Sequence, residues 1–162
     1  MVISDTHNDI GYTELALALF DKEKFDRLFV LGDIGIVVIR KLNPYASKIT
    51  AVKGNNDGFE DEEDIARFPL PYLNFTTAFG KFIVLTHGHY YNAFNYTDSY
   101  DILLVGHTHI SGIQTLPNGR IVANPGSLAL PNDGYHSYIV MDEKGMQVKD
   151  INSQGILHSL TF

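Results

Sequence analysis

The chain has 162 residues, 44% of them hydrophobic, no cysteine and a formal net charge of −7. With no Pro/Gly/Ser-rich linker, that length suits one domain over residues 1–162 with a sizeable buried core. Disulfides and thiolate metal sites are excluded, the acidic balance disfavours long nucleic acids, which bind through Lys and Arg, and no apolar run approaches the roughly 18 residues of a membrane helix.

Met1-Val2-Ile3 lacks the basic region that opens an export signal, so a cytoplasmic protein is expected. Val2-Ile3 reads as a short strand, and residues 12–20 space their apolar side chains as an amphipathic helix does. Strands are expected at 28–31 and 49–52 with a helix over 34–42 between them, then strands at 82–85 and 102–105. This alternation suggests βαβ units and a largely buried sheet. The acidic run from Glu60 to Asp64 precedes apolar residues and stops before Pro69, the pattern of a short helix whose N-terminal dipole favours negative charge. The last third changes character. Residues 111–116, 119–123, 135–142 and 146–151 are strand-like and separated by Pro117-Asn118-Gly119, Asn132-Asp133-Gly134 and Glu143-Lys144-Gly145. An antiparallel second sheet is expected from them.

Short polar motifs follow most of the early apolar runs. Asp5-Thr6-His7 follows the first, and strand alternation puts Asp5 and His7 on one face at the carboxyl end, where open α/β sheets collect ligands. Alone, this pair would fit a capping Asp and a surface His. Gly32-Asp33 repeats the placement, and Asp33 could equally cap the next helix. Gly54-Asn55-Asn56-Asp57-Gly58 is a turn by composition, whether or not Asn55 also binds. Thr86-His87-Gly88-His89 adds two imidazoles that could be core histidines. Gly106-His107-Thr108-His109 is the most specific, because packing does not explain two histidines one residue apart hanging off an apolar strand. Separate structural explanations cover the joint pattern poorly. A metal site built from imidazole, carboxylate and amide donors covers it with one cause.

In this order the motifs resemble the calcineurin-like metallophosphoesterases, in particular their small bacterial and archaeal YfcE-like phosphodiesterase branch. The resemblance spans nearly the whole chain and includes Asn124-Pro125-Gly126-Ser127, similar to that branch's turn near the active site. It implies an α/β fold, a four-layer αββα sandwich of two mixed β-sheets flanked by helices. It also implies two divalent metal ions, the first held by Asp5, His7, Asp33 and His109 and the second by Asp33, Asn55, His87 and His107. Asp33 would bridge, since one carboxylate can hold two cations roughly 3.5–4 Å apart. The implied reaction is hydrolysis of small phosphodiesters, nucleotides among them, by a metal-bridging hydroxide formed near neutral pH. Without thiolate ligands Mn²⁺ is favoured, with Fe, Ni²⁺, Co²⁺ and Zn²⁺ as alternatives. Asn55, Asn56 and Asp57 are assigned to the catalytic loop, and Asn8, Asn56 and His89 to substrate contacts.

The chain departs from the larger family members in several places. Where they carry a His after the Asn of the Gly-Asn motif, this chain has Asn56, which can donate to phosphate but cannot act as a general acid; activated or nucleotide diesters are therefore expected to react faster than other alkoxide esters. Asp57 could orient Asn56, orient a water or stabilise the turn. Ile36 replaces an acidic residue common three positions after the bridging Asp, the segment between Asp33 and Asn55 is short, and the first strand is brief. His89 could approach the phosphate or orient a ligand. His136 and His158 carry no motif and read as structural or surface residues, while the aromatic content could support a substrate pocket or a homodimer. Two other readings remain: a protein-binding scaffold like the retromer subunit of the same superfamily, and a phosphomonoesterase. All seven expected ligand positions hold Asp, His or Asn, which favours catalysis over the scaffold.

Overall fold

Consecutive apolar runs with no polar alternation make the central strands, as a sheet covered on both faces requires. In the computed structural model, which describes residues 1–58 and 66–162, β1 (Val2–Ile3), β2 (Leu28–Val30) and β3 (Ile49–Ala51) pair in parallel. Three antiparallel strands extend this sheet past β1: β9 (Ser137–Asp142), β10 (Gly145–Asp150) and β11 (Ile156–Thr161), giving the order β11-β10-β9-β1-β2-β3. The second sheet has the order β4-β5-β6-β8-β7, built from β4 (Leu73–Ala78), β5 (Lys81–Thr86), β6 (Ile102–Val105), β7 (Ser111–Thr115) and β8 (Ile121–Pro125). Its β5, β6 and β8 are parallel and its outer pairs antiparallel, so both sheets are mixed.

The last third of the chain does not form a sheet of its own, contrary to the expectation from its turn signals. The β7–β8 hairpin joins the second sheet, whereas β9 crosses to the first and pairs Ile139 with Val2. A two-residue β1 would otherwise leave its outer backbone groups unpaired, and β9 satisfies them. The strands β4 and β11 had no counterpart among the expected elements. Both are sheet edges with half-exposed faces, so neither shows a continuous apolar run.

Alternate residues of each central strand serve different layers. Ile3, Leu28 and Val30 face α1 (Ile10–Lys22) and α2 (Ile36–Leu42), where Phe20, Val38, Ile39 and Leu42 cover them. Val2, Phe29 and Leu31 face the other way and meet Ile83, Leu85, Ile102 and Leu104 between the sheets. On the second sheet's far side Val84 and Leu103 lie under Tyr96 and Tyr100, which belong to an irregular segment. Asp9 caps α1 by accepting from the Tyr12 N–H at 2.9 Å, so this helix starts earlier than its apolar spacing indicates. The second helix starts later than residue 34 because Gly35, at φ 81° and ψ 149°, lies outside the helical region, and it ends in a 3₁₀ turn, Asn43–Lys48. The start of the short helix expected at Glu60 lies outside the described residues. No helix among the described residues is long and apolar enough to cross a membrane.

Candidate metal centre

Every motif singled out above leaves the carboxyl end of a parallel strand. Asp5 and His7 follow β1, Asp33 follows β2, Asn55 follows β3, His87 follows β5, and His107 and His109 follow β6. Stacking the two sheets brings these ends to one rim, and hydrogen bonds stitch the sheets together there. The His107 N–H donates to Asp5 Oδ2 at 3.1 Å, and His87 Nδ1–H donates to the Leu31 carbonyl at 2.6 Å.

Five of the seven candidate ligands have left-handed backbone: Asp5 (φ 54°), His7 (41°), Asp33 (49°), His107 (69°) and His109 (58°). Such a conformation costs a non-glycine residue on the order of 1–3 kcal/mol and persists only where its surroundings enforce it. Here the Asp5, His7 and Asn8 N–H groups donate to the carbonyls of Gly32, Asp33 and Ile34 at 3.1, 2.9 and 3.0 Å, so β1 and β2 stay zipped beyond their last strand residues. Two glycines let the loops come this close. A Cβ on Gly54 would collide with Asp33 Oδ1, and one on Gly106 with Ser4 Oγ.

Asp5, His7, Asp33 and His109 each offer one donor atom, and those atoms all lie within 4.8 Å of one another. His7 Nε2 and His109 Nε2 are 3.2 Å apart, and His109 Nε2 lies 3.1 Å from Asp5 Oδ1. Asp33 stands between two groups of donors, with Oδ2 3.6 Å from His7 Nε2 and Oδ1 3.4 Å from His87 Nε2. On the far side His87 Nε2 meets Asn55 Oδ1 at 3.1 Å, and the His107 ring stands edge-on to His87 with centroids 5.0 Å apart. Asp5, Asp33 and His87 are buried, while the side chains of His7 and His109 keep 20% and 17% of their surface exposed, so the rim is open on that side.

The protonation pattern makes this cluster fit cations. Nδ1–H of His87 donates to Leu31 O, and Nδ1–H of His109 donates to Leu130 O at 2.6 Å, so each ring turns its Nε2 lone pair inward. In the neutral rings those lone pairs face carboxylate oxygens. Among the protein groups alone, burial lowers the His87 pKa, but the Asp33 hydrogen bond and the Asp5 and Asp33 charges outweigh it and raise it. Asp5 Oδ1 is buried with no hydrogen-bond donor of its own. Converging lone pairs repel unless positive charge sits among them. Burial pushes the Asp5 carboxyl above its usual range against the pull of the His87 charge and the Ser4 hydroxyl. At Asp33 burial acts in the same direction, but His87 and the Asn56 donors outweigh it and hold the carboxyl below its usual range.

The remaining assigned residues sit around this cluster. Asn56 donates twice to Asp33, the backbone N–H to Oδ1 at 2.8 Å and one Nδ2–H to Oδ2 at 2.6 Å. Asp57 is buried and accepts from Ile34 N–H at 2.7 Å, Gly35 N–H at 3.2 Å and Gly54 N–H at 2.8 Å, tying the turn after β3 to the loop after β2. Asn8 Oδ1 accepts from the Val37 N–H at 3.0 Å and so caps α2, whose own cap position is Gly35. His89 stands behind His87 and His107 with a buried, unpartnered Nδ1; burial first, then the neighbouring His87 and His107 charges, lower its pKa.

Sequence reasoning missed several supporting groups. Ser4 Oγ donates to Asp5 Oδ2 at 2.6 Å, a contact its position beside Asp5 could have suggested. The Leu31 and Leu130 carbonyls that orient His87 and His109 carry no sequence signal, because any residue supplies a carbonyl. In the Asn124-Pro125-Gly126-Ser127 turn, Asn124 Nδ2 donates to Gly106 O and Thr108 Oγ1 at 2.9 and 3.0 Å, and Ser127 Oγ donates to Asp5 O at 2.8 Å. That turn thereby holds both the His107–His109 loop and the Asp5 loop.

Residues 1–146 match the calcineurin-like phosphoesterase superfamily domain, so the chain belongs to that superfamily of metal-dependent phosphoric ester hydrolases. Phosphodiesterase YfcE of Escherichia coli is 30% identical over 97% of this chain and 94% of its own length. Phosphodiesterase MJ0936 of Methanocaldococcus jannaschii is 24% identical over 93% of this chain and 96% of its own. The solved structure of the phosphoesterase YfcE from E. coli superposes with a TM-score of 0.92 at 28% identity, covering 99% of this chain and 97% of that one. Vacuolar Protein Sorting 29 from Cryptosporidium parvum, at 19% identity and a TM-score of 0.70 over 99% of this chain and 96% of that one, shares the fold alone.

Proposed function

We propose that this chain is a binuclear, divalent-metal phosphodiesterase that hydrolyses small phosphodiesters in the cytoplasm. One observation carries the reading: Asp5, His7, Asp33 and His109 converge within 4.8 Å, and the same Asp33 turns its second oxygen to His87 beside Asn55. The first four residues would hold one ion; Asp33, Asn55, His87 and His107 would hold the other. Divalent cations bound there would supply Lewis acidity toward the phosphoryl oxygens and lower the pKa of bound solvent, and this donor set favours Mn²⁺.

The chain's own residues then do the positioning. Asn56 holds the Asp33 carboxylate so that each oxygen faces a different imidazole, and the Leu31 and Leu130 carbonyls keep His87 and His109 in the tautomer that presents Nε2. No side chain at the rim needs to act as a nucleophile. An amide cannot give up a proton, so with Asn56 at this position proton delivery to a leaving group falls to solvent, which favours leaving groups of low basicity. All seven donor positions are filled here, which favours catalysis over the scaffold reading.

The test is metal-depleted protein reconstituted with single divalent ions and assayed on bis-p-nitrophenyl phosphate, nucleotide diesters and the matching monoesters. Diester turnover that depends on added metal is expected, with Mn²⁺ most effective; an inert metal-loaded protein would support the scaffold, and monoester preference the phosphomonoesterase. Asp33→Ala is expected to abolish turnover and to lower the bound metal measured by elemental analysis. Wild-type rates in that variant would refute the mechanism.

A further inference from the structure

The two loops that carry Asn55 and His87 also carry aromatic rings on the outside of the same rim. Tyr72 immediately precedes β4, and its neighbour Pro71 accepts the Lys53 N–H at 2.9 Å, which fastens the start of this strand beside the Gly54-Asn55 turn. Tyr90 follows His87-Gly88-His89 on the loop after β5. The rings brace one another: Tyr72 meets Tyr90 edge-on with centroids 5.0 Å apart and meets His89 at 5.7 Å, and His89 lies 4.3 Å from Tyr90. His89 in turn leans on His87 at 5.3 Å and on His107 at 6.3 Å, so the aromatic cluster is continuous with the metal donors.

Despite this mutual packing, Tyr72 is 45% exposed and Tyr90 59%. The core does not account for them, since the second sheet's far side is covered by Tyr96 and Tyr100. Nor would a phosphate need them, since its charge would be met by the cations and polar donors. Rings held in place yet half bare offer π-faces to a planar group, and stacking of a base on such rings tolerates any base because every base has a π-face.

We propose that Tyr72 and Tyr90, braced by His89, form a stacking subsite for the base of a nucleotide diester whose phosphate lies among the Asp33, Asn55 and His87 donors. This rests on the phosphodiesterase reading above. The subsite makes the organic substituent, rather than the phosphate, the source of discrimination: a nucleoside gains the stacking contact, and a glycerol or alkyl group does not.

Metal-loaded protein is assayed on a dinucleoside monophosphate and on glycerophosphoglycerol, with the phosphomonoester released as the readout. Tyr90→Leu and Tyr72→Leu should each lower the ratio of kcat/KM on the dinucleotide to that on the glycerol diester about tenfold, through KM rather than kcat. Tyr90→Phe, which keeps the ring, should retain the ratio. A ratio unchanged in both Leu variants overturns the subsite. In a second arm, calorimetry compares AMP with ribose 5-phosphate on the same metal-loaded protein. AMP should bind about tenfold more tightly, and Tyr90→Leu should remove the difference; equal binding of the two to wild type overturns the subsite. If wild type cleaves neither diester, the phosphodiesterase reading fails while the calorimetric arm still decides whether a base stacks here.

Discussion

At the scale of single residues, Asn56 marks the difference between identity and role. A chemical reading of the side chain suggests a phosphate contact. The structure adds a second role, since the backbone N–H and one Nδ2–H donate to the two oxygens of Asp33 at 2.8 and 2.6 Å while the other amide N–H is not used there. Toward Asp33 it acts as a positioning residue. Groups that orient a metal ligand typically change affinity or activity 10- to 100-fold when removed, so Asn56→Ala should lower kcat by about that factor with the fold intact. The check that separates this from a general structural role is calorimetric metal titration, in which affinity should weaken in the variant. Asn56→Asp should be worse than Asn56→Ala, because a second carboxylate would sit against Asp33. The left-handed backbone at Asp5 and Asp33 belongs to this scale as well, since neither residue type by itself announces that φ is positive.

At the scale of elements, the loops after β1, β2 and β3 act as one unit, and Asp57 is its fastener. One carboxylate accepts three backbone N–H groups, two of them ahead of α2 and one in its own turn. Hydrogen bonds to a charged group contribute about 1.5–3 kcal/mol each, and buried donors left unsatisfied carry a comparable penalty. Asp57→Ala should therefore destabilise the protein by roughly 3 kcal/mol, read as a lowered urea midpoint, and should also weaken metal binding by loosening Asp33 and Asn55. Asp57→Asn keeps acceptor capacity on one side and should recover part of both. A wild-type urea midpoint in Asp57→Ala would show that the turn is held by other contacts. The helix α2 begins at Ile36 because Gly35, at φ 81°, is not helical, and the Ile34 and Gly35 N–H groups ahead of it serve the clamp.

At the scale of the whole molecule, the centre exists only because two sheets stack with their carboxyl ends on one side. The first sheet delivers Asp5, His7, Asp33 and Asn55, and the second delivers His87, His107 and His109. Ions held by donors from both sheets would cross-link them, so binding should stabilise the folded state well beyond the local loops. At free metal about 100-fold above Kd the gain is about 2.7 kcal/mol per site. For a chain of this size each kcal/mol moves Tm by about 2–4 °C. For two sites, removing metal with a chelator should lower Tm by roughly 10–20 °C in calorimetry, and adding back Mn²⁺ should restore it. A Tm insensitive to metal would mean that the donors do not hold ions strongly in the native state.

Much of this architecture was legible because it rests on local rules. Consecutive apolar runs marked the buried parallel strands, apolar spacing marked α1, and Asp, Asn, His and Gly gathered directly after strands marked the rim. The edge strands β4 and β11 were not legible, because half-exposed edges lack a continuous apolar run, and the sheet to which each of the last five strands belongs could not be read from turns that specify only local reversal. By themselves, then, the residues determined which side chains could bind and at which strand ends they stand. Only the tertiary structure decided that Asp33 faces two imidazoles, that Asn56 serves Asp33, and that Leu31 and Leu130 set the histidine tautomers. The reason is physical: spacing along a strand fixes the face a side chain takes, whereas the 3–4 Å distances between donors depend on how two sheets, far apart along the chain, pack across their shared core.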